Sequence, residues 1–349
     1  MNHLNVEEKG WIRYNINGFG ILKEYMLSLS KRQLKRFATL LSGIVRTPIY
    51  LVLLVVIMYM GFLNIYLSLT INILPVRRDR CTGCFQLNFT SIIHNGNICK
   101  VRGDNPIELF VIIFTTHNNI QKREAIRATW MSVSKNNTSR IRYAFFLGLS
   151  GNMTMNKMIE TEAAIFNDIL MEDFQDSYLN LTYKTLMGFK YVAKLCNKTK
   201  YILKTEDNMW INIVGLQSML QNVTTDLDNA VAGACQYNAY PNGDKDSKWF
   251  ASYQSFSQAT YPGLCSGTGY VLKSHVLRNI YEVSKDVPLS HLEDVYISRC
   301  VHRLGYHLLP FPGFLMPVTD PCVMKSDEVI TSHEVSPEYL KTIWTTTCD

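Results

Sequence analysis

The chain has 349 residues, 47% hydrophobic and 18% charged, with a formal net charge of +6. That is enough apolar material for one large domain with appendages. Residues 1–48 hold eight Lys/Arg against three Glu, +5 of the +6, so the rest of the protein is near neutral and its charge makes no case for nucleic-acid binding.

Residues 1–48 read as a basic cytosolic tail. From Ile49 to Leu74, between Pro48 and Pro75, 26 residues carry no charge. The most apolar part, Ile49 to Leu69, would span roughly 31 Å as a helix, the thickness of a bilayer core. It starts too late and runs too long for a cleaved signal peptide. The basic cluster on its amino side puts residues 1–48 in the cytosol and the remainder in the lumen. Residues 49–74 are therefore expected to be a single transmembrane signal anchor. Asn64, Ser68, Thr70 and Asn72 shorten its strongly apolar part, which favours a thin, early secretory membrane.

Residues 75–105 read as a lumenal stem, punctuated at its end by Gly96, Gly103 and Pro106. Seven N-x-S/T sequons follow the anchor, at Asn88, Asn136, Asn137, Asn152, Asn180, Asn197 and Asn222, and none precedes it. Asn136 and Asn137 overlap, so one of the two is expected to carry a glycan. All nine cysteines also lie beyond the anchor. An oxidising lumen should pair most of them and leave one over, with Cys81-x-x-Cys84 a stem disulfide.

From residue 106 strands and helices alternate, the pattern of an α/β sheet. Residues 108–116 form the first predicted strand, followed by a helix through Trp130. A strand over 142–148 precedes a helix around 157–167. A short strand near 169–174 leads to a long helix from Leu181, on which Phe189, Val192, Ala193 and Cys196 recur at helical spacing. The apolar run Tyr201-Ile-Leu203 then ends abruptly in Glu206-Asp207-Asn208. Ligands in open α/β sheets collect beyond the carboxyl ends of strands. Two carboxylates and an amide there can hold a hard divalent cation, or form a solvated acidic turn.

Arg123-Glu-Ala-Ile126-Arg127-Ala-Thr129-Trp130 resembles the R-x-x-I-R-x-T-W motif of the β-1,3-galactosyltransferase family. Further matches follow in order: Phe145-Phe-Leu-Gly148, Asp173 to Thr185, Lys204-Thr-Glu-Asp-Asn208, Lys248-Trp249-Phe250, Tyr261-Pro262, Cys265-Ser-Gly267-Thr-Gly269-Tyr270-Val271 and Leu292-Glu293-Asp294-Val295-Tyr296. The resemblance runs from about residue 106 to Trp344. It implies a GT-A type nucleotide-sugar-binding domain over 106–349, with a mixed, mostly parallel sheet. It also implies a Golgi type II membrane enzyme that transfers galactose, or an N-acetylhexosamine, from a UDP-sugar to the 3-hydroxyl of a glycoprotein or glycolipid acceptor, with inversion. Homo- or hetero-oligomers are open on this reading.

In the family the acidic cluster is D-x-D and binds Mn²⁺. Here Glu206 stands first, Asp207 is kept and Asn208 replaces the last Asp, so a weakened site is expected. His333, in a tail resembling H-x-x-x-P-x-x-x-x-x-x-W, would complete the metal set of Glu206, Asn208 and His333. By the same resemblance Asp294 is the general base. Ser290-x-x-Glu293 reads as a capping box that starts its helix. Arg123, Arg127, Lys184, Lys204, Glu206 and Asp207 are expected around the nucleotide, with bracing of acidic partners the other role open to the two arginines. Trp249, Tyr261, Gly267, Gly269 and Glu293 are expected at the substrate, with Trp249, Tyr253 and Tyr261 forming either a sugar platform or a core aromatic cluster. The competing reading is a lumenal glycan- or nucleotide-binding protein, inactive because Asn208 spoils the metal site.

Overall fold

A computed structural model describes residues 35, 36, 39, 48–73, 83, 87–101, 106–252, 256 and 258–348. Cys81, Cys84 and Tyr253 lie outside the described residues. The chain divides into two compact units, Met1–Pro75 and Val76–Asp349.

In the first unit helix α1, Pro48–Ile73, runs 26 residues without a charged side chain, about 39 Å at 1.5 Å per residue. Its side chains are described over 51–66, a stretch of only about 24 Å. Among the described residues no helix is long and apolar enough to cross a membrane.

The second unit is built on an eight-stranded sheet in the order β1-β4-β3-β2-β5-β8-β7-β9. The strands are β1 Ser91–Ile93, β2 Ile107–Phe114, β3 Ile141–Leu149, β4 Ile169–Gln175, β5 Thr199–Glu206, β7 Ala230–Gln236, β8 Leu264–Lys273 and β9 His307–Pro310. Pairings β3/β4, β2/β3, β2/β5 and β7/β9 are parallel, and β1/β4, β5/β8 and β7/β8 antiparallel. The sheet is thus mixed and mostly parallel, as expected. A separate ribbon pairs β6, Met209–Ile211, with β10, Thr331–His333.

Strand β2, Ile-Glu-Leu-Phe-Val-Ile-Ile-Phe, is buried along almost its whole length, which suits a strand covered on both faces. Alternation divides its side chains between two cores. Leu109, Val111 and Ile113 pack with α2 (Ile120–Ala128), α3 (Met153–Phe166), α5 (Ile213–Asn222), α8 (Pro321–Met324) and α9 (Pro337–Thr345). Phe110, Ile112 and Phe114 pack with α4 (Leu181–Leu195), α6 (Ser274–Ser284) and α7 (Glu293–Arg303).

Two boundaries differ from expectation for visible reasons. Helix α3 starts at Met153 because Asn152 caps it, its side chain accepting from the Thr154 N–H. Residues 87–101, assigned to the stem from sequence, belong to the folded body. Strand β1 pairs with β4, Ile98 is 3% exposed, and a Cys99–Cys196 disulfide ties the segment to the end of α4. A three-residue edge strand among polar residues leaves little pattern to read. Disulfides also join Cys235 to Cys265 and Cys322 to Cys348, and Cys300 is free and buried among the described residues.

Candidate active site

The chain leaves β2 for β3 and β4 on one side and returns to β5 on the other. The carboxyl ends of β2 and β5 therefore flank a topological switch point, where α/β sheets bind ligands. A cavity of about 700 Å³ opens there. Thr115, Thr116 and His117 line it from the end of β2, and Glu206, Asp207 and Asn208 from the end of β5. Asp294 and Glu293 reach it from α7, Trp249 and Lys248 from the β7–β8 connection, and His333 from β10.

Four of the basic residues expected around a nucleotide turn out to brace the framework. Arg123 is 0% exposed. Its guanidinium grips Glu162 at 2.9 and 2.6 Å and donates to Thr115 Oγ1 at 3.1 Å and the Thr116 carbonyl at 2.6 Å. Arg127 clamps Asp168 through two 2.8 Å bonds, and its Nη1 lies 2.8 Å from Glu162. Neither arginine lines the cavity. Lys184 donates to Asp176 at 2.7 Å and to the Thr115 carbonyl at 2.8 Å. Lys204 donates to the Gly267 carbonyl and, at 3.3 Å, to Glu293. A cation this deep must be paired, and each pair fixes a strand end beside the cavity.

The acidic cluster separates into two roles. Asp207 lines the cavity with its carboxylate committed to α2, accepting from Asn119 at 2.8 Å and Lys122 at 3.2 Å, which pins the start of α2 to the β5–β6 turn. Glu206, Asn208 and His333 come together. His333 Nε2 lies 3.9 Å from Glu206 Oε2 and 3.0 Å from Asn208 Nδ2. The register of β6 against β10 produces this, setting His333 opposite Met209. Among the described residues no group of three or more His, Cys, Asp or Glu forms a metal cluster, so Mn²⁺ is not shown. The donors nonetheless suit one. A carboxylate and an imidazole are both partly exposed, and the buried Asn208 Oδ1 has no hydrogen-bond partner. These are donor types that Mn²⁺ accepts.

Asp294 occupies the first turn of α7, its Oδ1 accepting from the Val295 N–H at 2.8 Å. Burial, then the adjacent Glu293 charge, push its carboxyl up to about 6, against the Val295 hydrogen bond and the Lys204 charge. A carboxyl near the working pH is poised for proton transfer. The capping box does not form. The helix is preceded by Leu292 without a side-chain cap, and Glu293 points inward to accept from Thr185 at 3.0 Å and Tyr270 at 2.8 Å. The buried Lys204 ammonium beside it explains the turn inward, since neither charge could lie there unpaired.

The glycines differ. A Cβ on Gly267 would stand 2.8 Å from Glu293 Oε2 and force that carboxylate to shift; a Cβ on Gly269 would meet nothing closer than 3.8 Å. Trp249 is 55% exposed at the cavity, with Lys248 Nζ 4.6 Å from its ring centroid. Tyr261 is not part of a sugar platform. It is 5% exposed in a small core with Ala251, Leu264, Leu292 and Val295. Sequence reasoning missed His117, Asp176 and Tyr178, all of which line the cavity. The signal for His117 was present, since it follows the apolar run of β2 as the acidic cluster follows that of β5.

Comparison with known proteins identifies the family. The family model described as Galactosyltransferase matches residues 121–310. Mouse β-1,3-galactosyltransferase 1 is 37% identical over 257 residues, 74% of this chain and 78% of its own. Human β-1,3-galactosyltransferase 5 is 32% identical over 263 residues, 72% of this chain and 83% of its own. Among solved structures the bifunctional glycosyltransferase WbbM aligns with 71% of this chain and 51% of its own, at 8% identity and a TM-score of 0.39, too loose a likeness to carry weight. On the family match and the two relatives, the chain belongs to the β-1,3-galactosyltransferase family and is a galactosyltransferase-like enzyme.

Proposed function

We propose that this is a Golgi type II membrane enzyme of the GT-A type that transfers galactose from UDP-galactose to the 3-hydroxyl of a glycan acceptor, with inversion. The observation that carries the reading is Asp294, a carboxyl pushed up to about 6 and facing the cavity between the ends of β2 and β5. Asp294 takes the proton of the acceptor hydroxyl as that oxygen bonds to the anomeric carbon and the bond to the diphosphate breaks. Attack from the face opposite the diphosphate inverts the anomeric centre. Trp249, the exposed ring at the rim, suits the apolar face of a sugar.

Glu206, His333 and Asn208 would hold a divalent cation, which stabilises the charge that grows on a departing diphosphate. Arg123, Arg127, Lys184 and Lys204 keep the strand ends in place around it. Membrane anchoring is supported by the uncharged helix Pro48–Ile73, with the basic tail before it and every sequon after it. A second reading, a nucleotide-sugar-binding protein with little turnover, is favoured by one observation: Asn208 presents Nδ2, a non-ligating group, to His333.

The test is to solubilise the full chain in detergent and offer UDP-galactose, UDP-N-acetylglucosamine and UDP-N-acetylgalactosamine with β-linked acceptors, with and without Mn²⁺. Transfer of galactose to O3 is expected. UDP binding without transfer of any sugar would establish the second reading instead.

A further inference from the structure

Glu293 is the most heavily tied carboxylate in the site. Its Oε1 accepts from Thr185 of α4 at 3.0 Å and from Tyr270 of β8 at 2.8 Å, and its Oε2 accepts from Lys204 of β5 at 3.3 Å. Lys204 in turn holds the carbonyl of Gly267 in β8. Three elements thus meet on one side chain at the first residue of α7. Glu293 is 5% exposed and Lys204 1%. Glu293 also lines the cavity, with three partners fixing its oxygens.

We infer that Glu293 is a positioning residue for Asp294: by locking the first turn of α7 to β5, β8 and α4, it aims the neighbouring carboxylate into the cavity. This rests on the reading of Asp294 as the base. Four features support it. The helix start has no side-chain cap, so the Glu293 contacts do the fixing that a cap would otherwise do. Residue 267 is glycine, and a Cβ there would stand 2.8 Å from Glu293 Oε2 and 3.9 Å from the Asp294 Cβ, so the space beside the pair is reserved. Partners on three separate elements hold the carboxylate in one orientation. Finally, a base misplaced by about 1 Å can lose roughly 10²-fold in rate, so rigidity at this turn has a direct kinetic value.

Glu293 also acts through charge. The groups that bear on Asp294 are Glu293 itself, Lys204 from β5, Tyr270 from β8, Tyr178 from the β4–α4 connection and Tyr261 from the β7–β8 connection. Lys248 and His291 line the same cavity. Among these Glu293 is the adjacent anion, and its charge raises the Asp294 carboxyl. Neutralising it lowers the pH at which Asp294 loses its proton. That shift follows from proximity alone, so positioning is read from Tyr270→Phe, which keeps the charge and loosens the carboxylate that carries it.

The experiment uses the full chain in detergent and compares wild type with Glu293→Gln, Tyr270→Phe and Asp294→Asn. Glu293→Gln keeps the shape and removes the charge. It should lower kcat by about tenfold or more, leave the donor KM within about threefold, and move the acidic limb of the kcat–pH profile to lower pH. Tyr270→Phe deletes one bond to Glu293, keeps the ring packed, and should lower kcat by a smaller factor at unchanged donor KM. The inference is overturned if Glu293→Gln keeps kcat within twofold, or if its loss sits in donor KM with the limb unmoved. Should Glu293→Gln fail to accumulate, Tyr270→Phe decides, and an unchanged kcat there overturns the inference. Substantial turnover by Asp294→Asn would instead show that the base itself was wrongly identified.

Discussion

Replacing Arg123 by Ala distinguishes a framework brace from a nucleotide contact. The side chain is 0% exposed and makes four hydrogen bonds, two to Glu162 and two to the end of β2. Arg123, Arg127, Glu162 and Asp168 form a buried cluster of two cations and two anions. Truncation leaves that cluster with a net negative charge. It also removes the guanidinium donor from the Thr115 hydroxyl and from the Thr116 carbonyl, which keeps the Asn119 N–H at 3.1 Å. Breaking a buried pair in this way costs about 3–5 kcal/mol. In a domain of this size each kcal/mol lowers Tm by roughly 2–4 °C, so a fall of about 10 °C is expected. Arg123→Lys keeps the charge without the planar fork and should fall in between. The assay is thermal unfolding of the full chain in detergent, alongside calorimetry of UDP binding to the folded protein. A Tm within 2 °C of wild type together with weakened UDP binding would refute the reasoning and return Arg123 to the nucleotide.

Two further outcomes follow from the site and the surface. Asn208→Asp adds a carboxylate where Glu206 and His333 already meet, so the Mn²⁺ concentration that half-saturates UDP binding should fall about tenfold, and His333→Ala should raise it. Two unit charges about 4 Å apart interact by about 4 kcal/mol at an effective dielectric of 20; after solvent screening at these partly exposed groups, a surviving 1.4 kcal/mol is about tenfold. Coincident titrations would remove both residues from the metal set. Of the overlapping sequons, Asn136 should carry the glycan. Asn137 spends its amide on the Tyr143 backbone, donating at 3.0 Å and accepting at 2.8 Å, whereas Asn136 is exposed. Asn136→Gln should therefore remove one glycan on a denaturing gel and Ser139→Ala none, and the reverse pattern would contradict this.

The alternation of buried strands and amphipathic helices was legible because parallel strands covered on both faces are continuous apolar runs, as in β2 and β5. The position of the cavity was legible for the same reason, since the acidic cluster interrupts such a run at its carboxyl end. What could not be read was the direction of each polar side chain. Asp207 and Asn208 are neighbours in sequence, yet one faces Lys122 and the other His333. Arg123 and Lys204 carry charge that sequence alone sends toward a diphosphate. Each instead meets a buried anion, on α3 and α7 respectively, that only the tertiary fold brings near. Tyr261 and Trp249 look alike as aromatics in one loop, but one closes a small core and the other stands at the rim.

The central claim is that Asp294 takes the acceptor proton. Its carboxyl is pushed up to about 6, and it must be ionised to act, so kcat should fall as pH drops through about 6. The measurement that tests this most directly is single-turnover transfer by Asp294→Asn at neutral pH, with UDP-sugar binding measured on the same sample. The account predicts a loss of roughly 10²-fold or more in transfer with donor binding unchanged. Transfer within a few-fold of wild type would contradict it and leave Asp294 as a first-turn residue that merely favours the positive end of its helix.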